Sequence, residues 1–367
     1  MTEPDLLATA RRLEPMVAAL RPQFDQDRQL PRALVDALHA AGLFRMWLPR
    51  ALGGAELPPL EFLEVIEELS RQDGSVGWCT VIPAGYGRLS GALDEDAARH
   101  IFGAGLGTLV GTLNPTGRAV ATPGGYRVSG RWGYGSFIGY GEWVLGNCMV
   151  ERGAAAESPE FRLCLFPRDA VEVFDVWHVG GLRATGSNDY QVTDLFVPER
   201  NTIPLEDFQP PPRRPGPLYA IPMTSTFVSC IATVTLGIAR AALEDLVEIG
   251  ARKRTAGAGP VLRDKPLAQA DLARAEATLG AGRAYLFAEL GRMWDNTVAG
   301  RPVTIRARAA VKLAACHAAQ CAIQAVDLAY QSAGGASVYQ GSRLERCFRD
   351  VHVAGQHVAL SMQASLE

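Results

Sequence analysis

Between Asp207 and Glu244 the chain carries no acidic residue, and from Met223 to Ile249 small and apolar side chains recur on more than one side of a helical projection. A helix apolar on several sides cannot lie on a surface; neighbouring helices must surround it. Three further helical stretches follow, Leu267–Trp294, Ile305–Ala333 and Leu344 onward. The last part of the chain is therefore predicted to be a four-helix bundle with 223–249 buried inside it.

The beginning of the chain is also helical. Pro31 sits where a first turn tolerates proline, and Leu34, Val35 and Leu38 recur at helical spacing until Gly42. A Gly53-Gly54 loop and Pro58-Pro59 precede a helix with Leu60, Leu63, Ile66 and Leu69 on one face. Glu61, Glu64, Glu67 and Glu68 fall largely on the other. Helices are also predicted from Ser75 towards Leu89 and from Glu95 to Phe102.

From Gly107 the texture changes to short β-branched and aromatic runs punctuated by glycine. Arg118–Thr122, the pair Gly124-Gly125 and Tyr126–Gly130 read as a hairpin. Trp143–Leu145, Phe161–Phe166, Val171–Val176 and Gln191–Pro198 extend the strand pattern. Pro210–Pro217 then reads as a stiff linker. The fold expected is α+β, with an N-terminal helical domain (1–105), an antiparallel, barrel-like middle domain (106–205) and the bundle (206–367). A chain of 367 residues needs more than one core.

Composition excludes several classes. The net charge is −3 with 20% charged residues, and no basic patch gives a nucleic-acid footprint. The seven cysteines are scattered without a C-x-x-C pair, so buried free thiols are expected and no metal site. No secretory leader and no uninterrupted apolar run of about 18 residues is visible. A cytoplasmic protein with no membrane contact is the expectation.

The stretch Trp177-His178-Val179-Gly180-Gly181-Leu182-Arg183-Ala184-Thr185-Gly186-Ser187-Asn188-Asp189-Tyr190 lies between strand-like runs. Small and hydroxyl residues packed there bring backbone and hydroxyls close to something, so a tight, ligand-facing turn is predicted. Its wording, W-x-x-x-G-L-R-x-T-G-S-x-D feeding a Val-Pro-Glu strand end, resembles the middle domain of the acyl-CoA dehydrogenase superfamily of flavoenzymes. The order of helices, β-domain and four-helix bundle extends that resemblance over nearly the whole chain.

The resemblance implies site residues. In Gly130–Trp143, Tyr134 matches the aromatic beside the flavin ring and Ser136 the hydroxyl near its N5. Gln331-Ser332-Ala333-Gly334-Gly335 resembles the Q-x-x-G-G element, which holds the adenosine side of FAD across a subunit interface. Arg252 and Arg254 stand where the family places an arginine that reaches the neighbouring subunit's pyrophosphate. The implied cofactor is FAD, with FMN as the alternative used by some relatives, and the implied assembly is a homotetramer.

A true acyl-CoA dehydrogenase removes an α-proton with a glutamate. Counting from Arg349-Asp350 places Val358 at that position, and the alternative placement on the first bundle helix is equally bare of acid. Beside it stands His357, and the ending R-D-x-H-x-x-x-x-H resembles the two-component flavin monooxygenases of the superfamily. There a separate reductase delivers reduced flavin, which reacts with O2, and an imidazole near neutrality serves proton transfer. His352 is off that face and is expected to be structural. Relatives that hydroxylate aromatics carry a histidine where Tyr86 stands here, and an S-G-x-x-H-A-x-W run where this chain has Ser136–Trp143. The substrate pocket has therefore diverged; Tyr86, Tyr140 and Trp177 are its expected lining.

Three readings follow. The first is a flavin-dependent monooxygenase acting on a small aromatic, heterocyclic or amine substrate, with His357 and Ser136 as catalytic residues. The second is an acyl-thioester dehydrogenase with a non-standard base, passing electrons to an electron-transfer flavoprotein. The third is a ligand-binding scaffold without catalysis.

Overall fold

A computed structural model describes residues 5–103, 105–151, 160–206, 209–254 and 261–361. Six helices come first: α1 (Leu6–Arg12), α2 (Glu14–Asp27), α3 (Arg32–Ala40), α4 (Pro59–Gln72), α5 (Gly74–Tyr86) and α6 (Glu95–Phe102). The Leu34, Val35 and Leu38 face of α3 is fully buried, as its spacing predicts. Along α4, Leu63, Ile66 and Leu69 are buried, while Glu67 and Glu68 leave the solvent face predicted for them. Arg283 reaches Glu67 at 2.8 Å and Arg71 reaches Glu68 at 2.7 Å. Bundle helices pack on that side too, so arginines rather than water neutralise the carboxylates.

Seven strands follow: β1 (Leu109–Thr122), β2 (Gly125–Gly135), β3 (Trp143–Glu151), β4 (Glu160–Pro167), β5 (Glu172–Phe174), β6 (Asn188–Pro198) and β7 (Thr202–Leu205). They form one sheet in the order β5-β6-β2-β1-β3-β4-β7. The predicted hairpin is present, with Arg118 opposite Ser129 and Thr122 opposite Gly125. The neighbours pair antiparallel except β1 with β3, which run parallel. The edge strands β5 and β7 do not pair with each other among the described residues. Trp132, fully buried, explains part of the glycine pattern: a Cβ on Gly117 or Gly146 would stand 2.2 or 2.5 Å from its ring.

The proline-rich linker is pinned to the first domain, because the Arg213 and Arg214 N–H groups both donate to the Gly91 carbonyl. After α7 (Pro217–Ala220) come the bundle helices α8 (Met223–Arg252), α9 (Pro266–Val298), α10 (Ile305–Ala333) and α11 (Arg343–Gly355). The end of the last predicted helix, 362–367, lies outside the described residues. By length and composition α8 and the stretch from Ile305 could cross a membrane; 89% of the apolar window in α8 is instead buried inside the protein. That burial is what its many-sided apolar pattern predicts. All seven cysteines are free and buried.

Candidate active site

The 177–190 turn owes its shape to hydrogen bonds that its own motif supplies. The Asn188 carboxamide oxygen accepts from the Val176 and Trp177 N–H groups, fixing the entry to the turn. Trp177 Nε1 and Thr185 Oγ1 both donate to the Leu182 carbonyl, at 3.1 and 2.9 Å. Arg183 reaches out to the Asp25 carbonyl with Nε and Nη2, and Asp189 receives Arg131.

The other half of the clamp comes from α11. Asp350 Oδ1 accepts from the Leu182 N–H at 2.6 Å, and Arg349 donates to the Gly180 carbonyl. A Cβ on Gly181 would lie 2.3 Å from the Arg349 carbonyl oxygen, so only glycine fits where the turn meets the helix. Sequence reasoning used Arg349-Asp350 only as a landmark for counting; the structure gives the pair a role. Asp350 is buried, and desolvation together with the nearby Asp73 carboxylate pushes its pKa up to about 7. Asp73 caps α5 through the Ser75 N–H, with Arg21 at 3.6 Å and Arg346 at 3.9 Å.

Facing this turn, β2 ends in Tyr134-Gly135-Ser136-Phe137. Tyr134, Phe137 and Leu182 are three of the six non-glycine residues in left-handed backbone among those described. Each such residue stores about 1 kcal/mol or more, held by the bonds around it. The Phe137 N–H donates to the Thr185 carbonyl, tying the two loops together. Between them runs a row of hydroxyls: Thr185 Oγ1 to Ser187 Oγ at 2.7 Å, and Ser187 Oγ to Ser136 Oγ at 2.8 Å. Trp78 Nε1 on α5 then donates to Ser136 Oγ at 3.0 Å.

Trp78 links the row to His357. Their rings lie 5.7 Å apart, and Phe227 of α8 sits 5.6 Å from the same imidazole. His357 Nδ1 accepts from the Ala359 N–H at 3.0 Å, so the neutral ring carries its proton on Nε2. Burial, and then the charge of Lys312, lower its pKa to about 4. This differs from the expected near-neutral base: His357 is a standing donor at Nε2 with its other nitrogen occupied. His352 pairs with Asp327 at 3.0 Å, the structural role expected of it.

Phe227 also lines a narrow cavity of about 20 Å³, walled by Trp47, Ile82, Tyr86, Arg88 and Ile231. No Asp or Glu is among its lining residues. Tyr86 donates to the Gly111 carbonyl, and burial holds its phenol well above its ordinary pKa, hence neutral. Of the three expected pocket residues, Tyr86 lines this cavity and Tyr140 and Trp177 do not. Tyr140 bonds the Leu30 carbonyl and lines a second cavity with Phe137 and Thr185. Trp177 stands edge-on to Tyr134, at 6.3 Å between centroids.

The Q-x-x-G-G segment meets the end of α8. Gly334, in left-handed backbone, ends α10, and Lys253 Nζ donates to the Ala333 carbonyl. Arg252 and Arg254 flank that lysine and are exposed, as are Gln331, Gly334 and Gly335.

The residues at the 134–136 and 177–187 end fit a flavin. Tyr134 is 72% exposed and edge-on to Trp177, next in the chain to the row of hydroxyls that can meet the polar edge of a ring. The first helices, the sheet and the bundle meet around this turn, with an apolar cavity alongside that has no Asp or Glu among its described lining residues.

Comparison with known proteins agrees. The family model "Acyl-CoA dehydrogenase, N-terminal domain" matches residues 5–88, and "Acyl-CoA dehydrogenase, C-terminal domain" matches residues 229–362. The chain is 33% identical to indole-3-acetate monooxygenase of Pseudomonas putida over 337 residues, 91% of this chain and 85% of that protein. It is 28% identical to the flavin-dependent monooxygenase oxygenase subunit HsaA of Rhodococcus jostii (strain RHA1), covering 95% and 94% of the two chains. Among solved structures it is similar to XiaF from Streptomyces sp. in complex with FADH2 and glycerol. That match has a TM-score of 0.91 at 25% identity and covers 98% of this chain and 92% of that one. The chain belongs to the acyl-CoA dehydrogenase family, among its two-component flavin-dependent monooxygenases, and its cofactor is a flavin.

Proposed function

We propose that the protein is the oxygenase component of a two-component system that hydroxylates a small aromatic or heterocyclic compound in the cavity beside Phe227. The observation that carries this reading is an apolar cavity free of carboxylates, joined through Phe227, His357 and Trp78 to the hydroxyl row at Ser136. The base that a thioester dehydrogenase needs has no counterpart among the lining residues. Relatives whose names give indole-3-acetate and resorcinol as substrates support an aromatic one.

Reduced flavin, when bound, supplies the two electrons with which O2 gives one oxygen atom to substrate and the other to water. Ser136, oriented by Trp78 and Ser187, would hold the polar edge of the ring with its hydroxyl. His357 offers Nε2–H as a donor and stays neutral over the working pH range. Trp47, Ile82 and Phe227 exclude water and hold the flat substrate.

The same reading takes FAD as the flavin, with its adenosine side at Gln331, Gly334 and Gly335 and its pyrophosphate at Arg252 or Arg254 of another copy in a homotetramer. The exposure of all five residues supports it. A separate flavin reductase supplies the reduced cofactor, as the term oxygenase subunit in relatives' names suggests. Seven free cysteines suit the reducing cytoplasm.

The test is incorporation of isotopically heavy O2. The protein, with FAD and an NADH-driven flavin reductase, is offered a panel of phenols and indoles. One heavy oxygen atom in a product supports the reading; no labelled product, together with desaturation of an acyl thioester, overturns it.

A further inference from the structure

One cation faces the cavity. Arg88 is 6% exposed and lies in its wall. Its guanidinium donates from Nη1 to Thr226 Oγ1 and from Nη2 to the Ile221 carbonyl, both at 2.6 Å, and lies 6.0 Å from the centre of the Trp47 ring. Both acceptors are neutral. The other two arginines buried to this degree each meet a carboxylate: Arg162 reaches Glu160 at 3.2 Å, and Arg346 reaches Asp25 at 2.8 Å. Arg88 has no such partner among the described residues.

A buried charge without an opposite charge is unfavourable, and the ways out are neutralisation or a counter-ion. Neutralisation is not the way taken. Burial lowers the Arg88 pKa only to about 10, which leaves it ionised at neutral pH. The other titratable groups facing it, Cys230 and Tyr219, have pKa values raised by burial and stay neutral. The remaining lining is mostly aromatic and aliphatic, with Tyr86 already bonded to the Gly111 carbonyl. The cavity wall is thus mostly apolar, with a single positive point on it.

We infer that Arg88 is the counter-ion of the substrate, and that the cavity accepts an aromatic body bearing one carboxylate. A planar guanidinium suits this role because it can hold a carboxylate through two parallel N–H donors. The inference rests on reading the cavity beside Phe227 as the substrate site. It narrows the class from small aromatics in general to aromatic acids. Arg88 is a binding and specificity residue in this account and takes no part in oxygen transfer.

The test compares acids with their uncharged amides of the same shape: indole-3-acetate with indole-3-acetamide, phenylacetate with phenylacetamide, and benzoate with benzamide. Binding to the full chain is measured by calorimetry, with flavin affinity measured separately. At least one acid binds the wild type about tenfold more tightly than its amide, equivalent to about 1.4 kcal/mol. R88Q brings acid and amide to within about twofold, and R88K, which keeps the charge, retains part of the preference. Equal binding of acid and amide by the wild type, binding of no acid in the panel, or an unchanged preference in R88Q overturns the assignment. Should R88Q fail to fold, the wild-type and R88K comparisons decide. Protein that binds reduced flavin but treats acid and amide alike loses only the role of Arg88. Protein that prefers the acid but takes no flavin keeps that role and loses the flavin reading.

Discussion

The two ends of the proposed flavin site are built in opposite ways. At the ring end, Ser136, Thr185 and Ser187 are each at most 6% exposed, every hydroxyl is bonded, and α5 and α11 both contact the turn. At the tail end, Gln331, Gly334 and Gly335 are exposed, the Arg252 side chain is 83% exposed, and Lys253 to Ala333 is the hydrogen bond described between the two segments. A network whose members satisfy one another is organised before any ligand arrives. An exposed edge of glycines and arginines gains further contacts only when something covers it. The difference teaches where each residue's energy is read: in the fold at the ring end, and in binding at the tail end.

The largest effect is expected at the clamp. Replacing Asp350 by Ala leaves the buried Leu182 N–H without an acceptor and removes a carboxylate beside Arg346; about 3 kcal/mol of stability is lost, measured by urea unfolding. D350N keeps the acceptor and costs about 1 kcal/mol. The pH dependence has a definite sign. The folded Asp350 holds its proton to about pH 7, above the ordinary carboxylate value, so the fold binds more protons than the unfolded chain between those values. Its contribution to stability is present at low pH and is lost as pH rises towards 7. D350N removes the part of that slope due to Asp350, leaving the part due to Asp73, whose pKa burial also raises, and a wild-type slope equal to that of D350N would contradict the placement.

Gly181 is next. G181A drives a methyl against the Arg349 carbonyl, shifts the turn off α11 and costs about 2 kcal/mol in the same measurement, with weaker flavin binding. Ser136 follows. S136A strips the acceptor from Trp78 Nε1 and a partner from Ser187; about 1 kcal/mol of stability is lost, and product formed per reduced flavin falls about tenfold. His357 sharpens the picture without perturbing it. Nitrogen-labelled histidine in NMR should show a neutral Nε2–H ring from pH 5 to 8, with protonation near pH 4. The smallest fold effect is at the other end. R252A combined with R254A changes stability by less than about 0.5 kcal/mol, since both side chains are exposed. It lowers FAD affinity about tenfold and FMN affinity much less, because FMN has no pyrophosphate for those arginines to hold. An equal loss for both flavins would break the contrast between the two ends.

Much of this was readable from local pattern. The 118–129 hairpin, the α3 core face, the end of α10 at Gly334 and the turn at 177–190 all depend on residues close in sequence. What escaped depends on contacts between distant segments. Asp350 meets Leu182 across 168 positions, and Trp78 meets Ser136 across 58. Nothing in the sequence around Arg349-Asp350 says that it docks a turn, although an aspartate between Arg346 and Arg349 and the apolar face of a helix is a signal in retrospect. Glu67 looked solvent-facing because helical spacing does not reveal a second helix packing against the polar side. His357 lies beside an aromatic cavity wall, and its tautomer is set by Ala359, two residues further on, which no motif encodes. Tyr140 and Trp177 were grouped with Tyr86 by resemblance; distance in the fold separates them into different surroundings.

The measurement that bears most directly on the account is rapid mixing of the anaerobically reduced, flavin-loaded protein with O2, followed by absorbance. The account predicts a transient species with a spectrum distinct from both reduced and oxidised flavin, decaying faster when substrate is present. Single-step return to oxidised flavin, together with reduction of the bound flavin by an acyl thioester, would contradict it and make this chain a dehydrogenase.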